Sequence, residues 1–166
     1  MRRVLGMAIL AITIIVLDQV TKQLVQTNFT LGESLPIIDG LFNLTHIRNP
    51  GAAFGFLANA DASIRKPLFL FIPVIACVWV IWLIWQTRHN NFMLCTAYTL
   101  ILAGAVGNLI DRFSMGFVVD FLDFYWKSAH FPAFNVADSS ITIAAFLLII
   151  DLLLNIKNKS PKASDH

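Results

Sequence analysis

Two aspartates stand among residues that rarely surround a surface carboxylate. Asp120 lies in Phe117-Val118-Val119-Asp120-Phe121-Leu122-Asp123-Phe124-Tyr125, and Asp138 in Phe134-Asn135-Val136-Ala137-Asp138-Ser139-Ser140. Two carboxylates in contact cannot both ionise easily, so one keeps a proton and the pair titrates as a unit. The ionised member can take a proton from water while the neutral member donates to a carbonyl oxygen. That is peptide hydrolysis without a metal or a covalent intermediate. Asp138 also has a plainer reading: an aspartate before a helical run is often its N-cap, and the local sequence alone favours that role.

Other polar groups sit where they are costly. Asp18 and Lys22 are spaced to share a helix face, which reads as a structural ion pair with Lys22 snorkelling outward, or else as chemistry. In Gly104-Ala105-Val106-Gly107-Asn108-Leu109-Ile110-Asp111-Arg112, the residues Gly104, Asn108 and Asp111 or Arg112 lie along one face. Small residues there allow close helix approach, and Asn108 can hydrogen-bond across it. Asn108 and Arg112 either pack the helices or orient a substrate or carboxylate. His130 is a weak candidate base, and His46 and His89 read as surface groups. No H-E-x-x-H, G-x-S-x-G or phosphate-cradling pattern is present, and no cysteine spacing suits a metal. Cys77 and Cys95 lie in apolar runs and read as small packed hydrophobes.

The elements that must carry these groups are membrane spans. Hydrophobic residues make up 57% of the chain and charged residues 13%, against about a quarter in soluble domains. A net charge of +2 without a basic stretch gives no footprint for nucleic acid. Four apolar runs, about 4–25, 67–85, 92–110 and 138–154, each approach the length of a transmembrane helix. The first is a retained span rather than a cleaved leader, since no small-x-small site follows it. Arg2, Arg3, Arg88, Lys157, Lys159 and Lys162 lie at the termini and in the short second connection, which places these on the cytoplasmic side and both long loops outside. In the first outer loop, 26–66, Leu35–Ile38 and Leu41–Ile47 read as strands about an Asp39-Gly40 turn. Gly51 and Gly55 flank backbone near Phe54 suited to closing over a site. Because the third span ends near Asp111 and the fourth begins near Asp138, topology lets Asp120 and Asp138 meet at the outer surface.

Five segments, in order, resemble the lipoprotein signal peptidase (signal peptidase II) family: Asp18-Gln19-Val20-Thr21-Lys22, Arg48-Asn49-Pro50-Gly51-Ala52-Ala53-Phe54-Gly55, Gly107-Asn108-Leu109-Ile110-Asp111-Arg112, Val119-Asp120-Phe121 and Phe134-Asn135-Val136-Ala137-Asp138-Ser139. Each is weak alone; the ordered set is specific. The resemblance implies an intramembrane aspartyl endopeptidase of the bacterial inner membrane. Such an enzyme removes signal peptides from diacylglyceryl-modified prolipoproteins, cutting just before the lipidated cysteine. It implies catalytic Asp120 and Asp138, with Asp18, Lys22, Asn49, Gly51, Asn108, Asp111, Arg112 and Asn135 binding substrate or supporting the site. It implies no metal or organic cofactor, and inhibition by the cyclic peptide globomycin. The implied fold is an all-α polytopic membrane protein: four transmembrane helices, a small periplasmic β-cradle near 35–47 and a short periplasmic helix near Asp61–Lys66, in one domain spanning 1–166. Lipidated prolipoprotein and membrane lipids are its expected partners. The rival readings are an ion- or proton-coupled transporter using Asp18, Lys22 and Asp138, and a non-catalytic membrane scaffold.

Overall fold

A computed structural model of the chain describes residues 2–51 and 62–159. Four helices are long and apolar enough to cross a membrane. They are α1 (Arg2–Asn28), α2 (Ala62–Thr87), α3 (Phe92–Ser114) and α4 (Val136–Lys159). Each outruns the apolar stretch that announces it, because helix propagation continues through polar residues once a span is nucleated. The short helix expected near 61–66 is, over 62–66, the opening of α2 and no separate element, and Asp61 lies outside the described residues. Phe54 and Gly55, with the closure expected of them, also lie outside these residues.

α3 is the central helix: α1, α2 and α4 all pack on it, whereas α1 and α2 scarcely touch each other. Small residues allow the approach. A Cβ at Gly104 would run into the Ala137 carbonyl and lie 2.6 Å from the Ser140 hydroxyl, and one at Gly107 would lie 2.7 Å from Asp18 Oδ2. Backbones this close favour van der Waals packing in a medium that gives no hydrophobic drive between helices. Ala97, Leu100 and Ala144 form the buried centre, flanked by Leu10, Ile14, Leu147 and Leu148. The outward faces carry exposed Ile, Leu, Phe and Trp, as lipid contact requires.

At one end of the bundle lies a four-stranded antiparallel sheet in the order β1 (Ser34–Ile38), β2 (Phe42–Asn49), β3 (Val118–Trp126), β4 (Ala129–His130). The expected hairpin is present, and Gly40 takes the left-handed conformation of its turn (φ 78°). Within the long connection between the third and fourth spans, residues 118–126 form the strand that carries Asp120. Val118, Val119 and Phe121 are buried, and Val119 and Phe121 pack on Val25 of α1, so the sheet is bolted to the bundle through β3. His46, expected at the surface, is buried on β2, where its Nδ1 pairs with the Phe29 carbonyl at 3.0 Å. His89 is exposed, and Cys77 and Cys95 are free thiols, the latter buried.

Candidate active site

Strands β2 and β3 and helices α3 and α4 converge on the two aspartates. The β2–β3 ladder sets Ile47 opposite Asp120, after an irregularity between Leu44 and Ile47. Such a bulge re-aims the strand that follows. Asn49 then donates from Nδ2 to Asp120 Oδ2 at 3.0 Å, with its own Oδ1 accepting from Gly51 N–H at 3.0 Å. Gly51 adopts φ 107°, and a Cβ there would meet the Phe69 ring. Only glycine serves at that point.

The second aspartate lies in the first turn of α4, and the capping assignment changes. Asn135 is the N-cap: its Oδ1 accepts from Asp138 N–H at 2.9 Å, and Asn135 N–H approaches Asp138 Oδ2 at 3.3 Å. This reciprocal arrangement is a capping box with Asp138 at its third helical position. The next free amide of the turn, Ala137 N–H, donates to Asp18 Oδ1 at 2.9 Å. Helix capping and carboxylate placement are therefore one structure.

Asn135 also joins the aspartates. Its Nδ2 donates to Asp120 Oδ1 at 2.7 Å and to Asn108 Oδ1 at 3.2 Å. Asn108 in turn donates from Nδ2 to Asp138 Oδ1 at 2.8 Å. The orientation of Asn108 follows from Lys22, whose Nζ, having no lone pair to offer, donates to Asn108 Oδ1 at 2.9 Å. The amide must turn its NH2 toward Asp138.

Lys22 is 1% exposed and does not snorkel outward. It is held between Asp18 Oδ2 at 2.8 Å and Asp111 Oδ2 at 3.0 Å. Asp111 further accepts from Gln19 Nε2 at 2.9 Å and from Val119 N–H at 3.2 Å, linking α1, α3 and β3. A buried cation with two carboxylates and an amide around it persists because every member is hydrogen-bonded. Asp18 is thus part of this scaffold, as the ion-pair reading has it.

Asp120 and Asp138 open into one cavity of about 540 Å³. Asn49, Gly51, Phe69, Arg112, Phe131 and Phe134 line it, and Thr142 and Ile143 carry it down the face of α4. Burial pushes the Asp120 carboxyl up to about 6; the nearby Asp138 carboxylate raises it too, while hydrogen bonds from Asn49 and Asn135 and the charge of Lys22 oppose the rise. Arg112 borders the same cavity, 5.9 Å from the Phe69 ring centroid, and its buried Nε has no hydrogen-bond partner among the described residues. His130 is elsewhere, on β4, with Nδ1 2.9 Å from Asp123 Oδ1. Asp123 also accepts from Asn43 at 2.9 Å, and neither Asp123 nor His130 lines the cavity.

All ten residues singled out for the site fall in this network or on the cavity wall. The sequence reading missed Gln19 as a link between helices, and Phe69, Phe131 and Phe134 as the aromatic wall. A glutamine beside Asp18 in an otherwise apolar span was a signal for the first. Nothing in the local sequence distinguishes the wall from the chain's other phenylalanines. Among the described residues, no group of three or more His, Cys, Asp and Glu is placed to hold a metal ion.

Comparison with known proteins gives a consistent result. A family model described as Signal peptidase (SPase) II matches residues 10–154. A lipoprotein signal peptidase of Desulforapulum autotrophicum is 47% identical over 154 residues, covering 93% of this chain and 95% of that one. One from Geobacter sulfurreducens is 46% identical over 147 residues, covering 89% and 91%. A solved bacterial membrane enzyme superposes with a TM-score of 0.83 at 35% identity, covering 96% of this chain and 94% of its own. A second gives 0.79 at 35% identity over 89% and 92%.

Proposed function

The chain belongs to the signal peptidase II family, and from that premise we propose that Asp120 and Asp138 are the catalytic pair with which it removes signal peptides from prolipoproteins. It is a multi-pass membrane peptidase, and its relatives are peptidases, not transporters. The substrate is a prolipoprotein whose cysteine carries a diacylglyceryl group, and the bond cut is the one just before that cysteine. The whole chain, 1–166, acts as one membrane-embedded domain in the bacterial inner membrane. Its termini are cytoplasmic and its site is near the periplasmic face.

The observation that carries this reading is the shared cavity in which both carboxylates are held by the Asn108–Asn135 amide bridge. The ionised aspartate removes a proton from water as the water oxygen attacks the scissile carbonyl carbon. The neutral aspartate gives its proton to the carbonyl oxygen. Collapse of the resulting diol breaks the C–N bond, and a proton from the pair leaves with the amine. No charge accumulates that the two carboxyls cannot pass between them. Arg112 offers N–H donors to oxygens of the bound substrate on the same wall. The apolar lower wall at Ile143 lets acyl chains remain among lipids while the peptide reaches water. Globomycin, a cyclic peptide, blocks this cavity.

Cleavage of a purified diacylglyceryl-modified prolipoprotein by the wild type, Asp120→Asn and Asp138→Asn tests the assignment. Asn keeps the size of the side chain but cannot serve as the base. Each variant should fold, with a cooperative thermal transition in detergent, and lose roughly 10²–10⁴-fold in rate. Wild-type turnover by either would remove that residue from the catalytic pair.

A further inference from the structure

α1 and α2 scarcely touch each other, and both pack on α3. At the end remote from the sheet a space lies between them, with α3 as its floor. A cleft of about 230 Å³ runs inward there between Met7, Ala8 and Ala11 of α1 and Ile81 and Ile84 of α2. Its floor includes Cys95 and Thr99 of α3. The wall is nearly all apolar, and the Thr99 hydroxyl is already spent on the Cys95 carbonyl at 2.8 Å. Ala8 and Ala11 are what leave the space.

The mouth of the cleft is cationic. Arg3 and Arg88 border it with Trp85 between them. Arg3 donates one Nη to the His89 carbonyl at 3.1 Å, and Arg88 lies over the Trp85 ring at 3.5 Å from its centroid. Each guanidinium has five N–H donors, so both keep several to offer. Among the described residues, neither makes an ion pair with a carboxylate. Two cations at the mouth of an apolar slot between helices match one ligand chemistry: a phosphodiester with an acyl tail. Tryptophan at that depth marks the level of the lipid headgroups, and basic pockets between transmembrane helices are where anionic headgroups settle.

We propose that this cleft is a binding site for one anionic glycerophospholipid, its phosphate on Arg3 and Arg88 and one acyl chain between α1 and α2. The occupant fills the space these helices do not fill for each other, and so supports the bundle at the end remote from the aspartates. The site stands independently of the proteolytic assignment.

Native mass spectrometry of the full chain in detergent, titrated with dioleoyl phosphatidylglycerol or dioleoyl phosphatidylcholine, reads the proposal directly. One phosphatidylglycerol should be retained in preference to phosphatidylcholine. Replacing Arg3 and Arg88 together with Gln should lower its affinity by roughly 25-fold, about fivefold for each arginine. Ala8→Trp, which fills the slot and keeps both arginines, should abolish the bound lipid while prolipoprotein cleavage in detergent continues at the wild-type rate. Equal retention of the two lipids would overturn the proposal, as would unchanged binding to Ala8→Trp. If glycerophosphoglycerol, the headgroup without acyl chains, bound as tightly as the lipid, the cleft would be an anion site with no role for its apolar wall, and the proposal would also fall.

Discussion

At the scale of single residues, the consequence of burial at Asp120 is a pH dependence. Its carboxyl titrates at about 6 rather than at the ordinary 3.8. Between those values it holds a proton in the folded protein that it would release when unfolded. Folding therefore takes up a proton in this window, and this group's contribution to stability falls as pH rises from about 4 to 6. For the proposed chemistry, Asp120 is the member that keeps its proton beside the ionised Asp138 and so serves as the acid, and kcat/KM should fall on the alkaline side as that proton is lost. Asn49 lowers this pKa through its hydrogen bond to Oδ2, so Asn49→Ala should move the limb to higher pH. A profile of kcat/KM against pH checks both, and an alkaline limb that Asn49→Ala leaves in place would contradict them. That both aspartates could meet was legible, because the apolar setting of each and the ends of α3 and α4 can be read from sequence. The part played by Asn135 was not. Local sequence offered Asp138 as the cap, and only the fold shows Asn135 capping the helix while its Nδ2 reaches Asp120 across β3.

At the scale of elements, the close approach of α3 to α1 and α4 sets the site. Gly107 is the contact at which all three meet, since a Cβ there would lie 2.7 Å from Asp18 Oδ2 and 3.3 Å from Ala137 Cβ. Asp18 receives the Ala137 N–H of α4's first turn, so a side chain at 107 would displace the helix end that bears Asp138. Gly107→Val should cost on the order of 1–3 kcal/mol, read as a lower thermal midpoint in detergent, and should slow cleavage. Gly6→Ala, with open space about it, is the control that should change neither. A Gly107→Val protein with the wild-type midpoint would show that the approach can relax. The helices were legible because a span declares itself by length and hydropathy alone. The hairpin was legible from alternation about Asp39-Gly40. β3 was harder: Val118, Val119, Phe121 and Phe124 favour a strand, yet its partner β2 is some seventy residues distant and no local turn announces the pairing.

At the scale of the whole molecule, the basic residues of the helix ends Arg2, Arg3, Arg88 and Lys157 and the paired aspartates lie at opposite ends. α3 has 23 residues and so spans about 34 Å, close to the roughly 30 Å of a bilayer's hydrocarbon. Asn108 and Arg112 are in its last two turns, which brings the paired aspartates to the boundary between lipid and water. A peptidase using water on a substrate anchored by acyl chains must work at that boundary, because in the hydrocarbon it lacks water and beyond it the anchor would have to leave the membrane. The other boundary holds Arg2, Arg3, Arg88 and Lys157, and in the orientation proposed from the positive-inside rule it faces the cytoplasm. The exposed hairpin turn at Asp39 and the exposed α2–α3 turn at Asn90 therefore lie on opposite sides. In a background with Cys77 and Cys95 replaced by Ala, a membrane-impermeant maleimide added to intact spheroplasts should label Asp39→Cys at once. It should reach Asn90→Cys only after permeabilisation. The reverse pattern would put Asp120 and Asp138 at the cytoplasmic face, where a peptidase would meet its substrate before the lipoprotein's mature part had crossed. The orientation and the proposed activity thus stand together, and labelling of Asn90→Cys in intact cells would count against both.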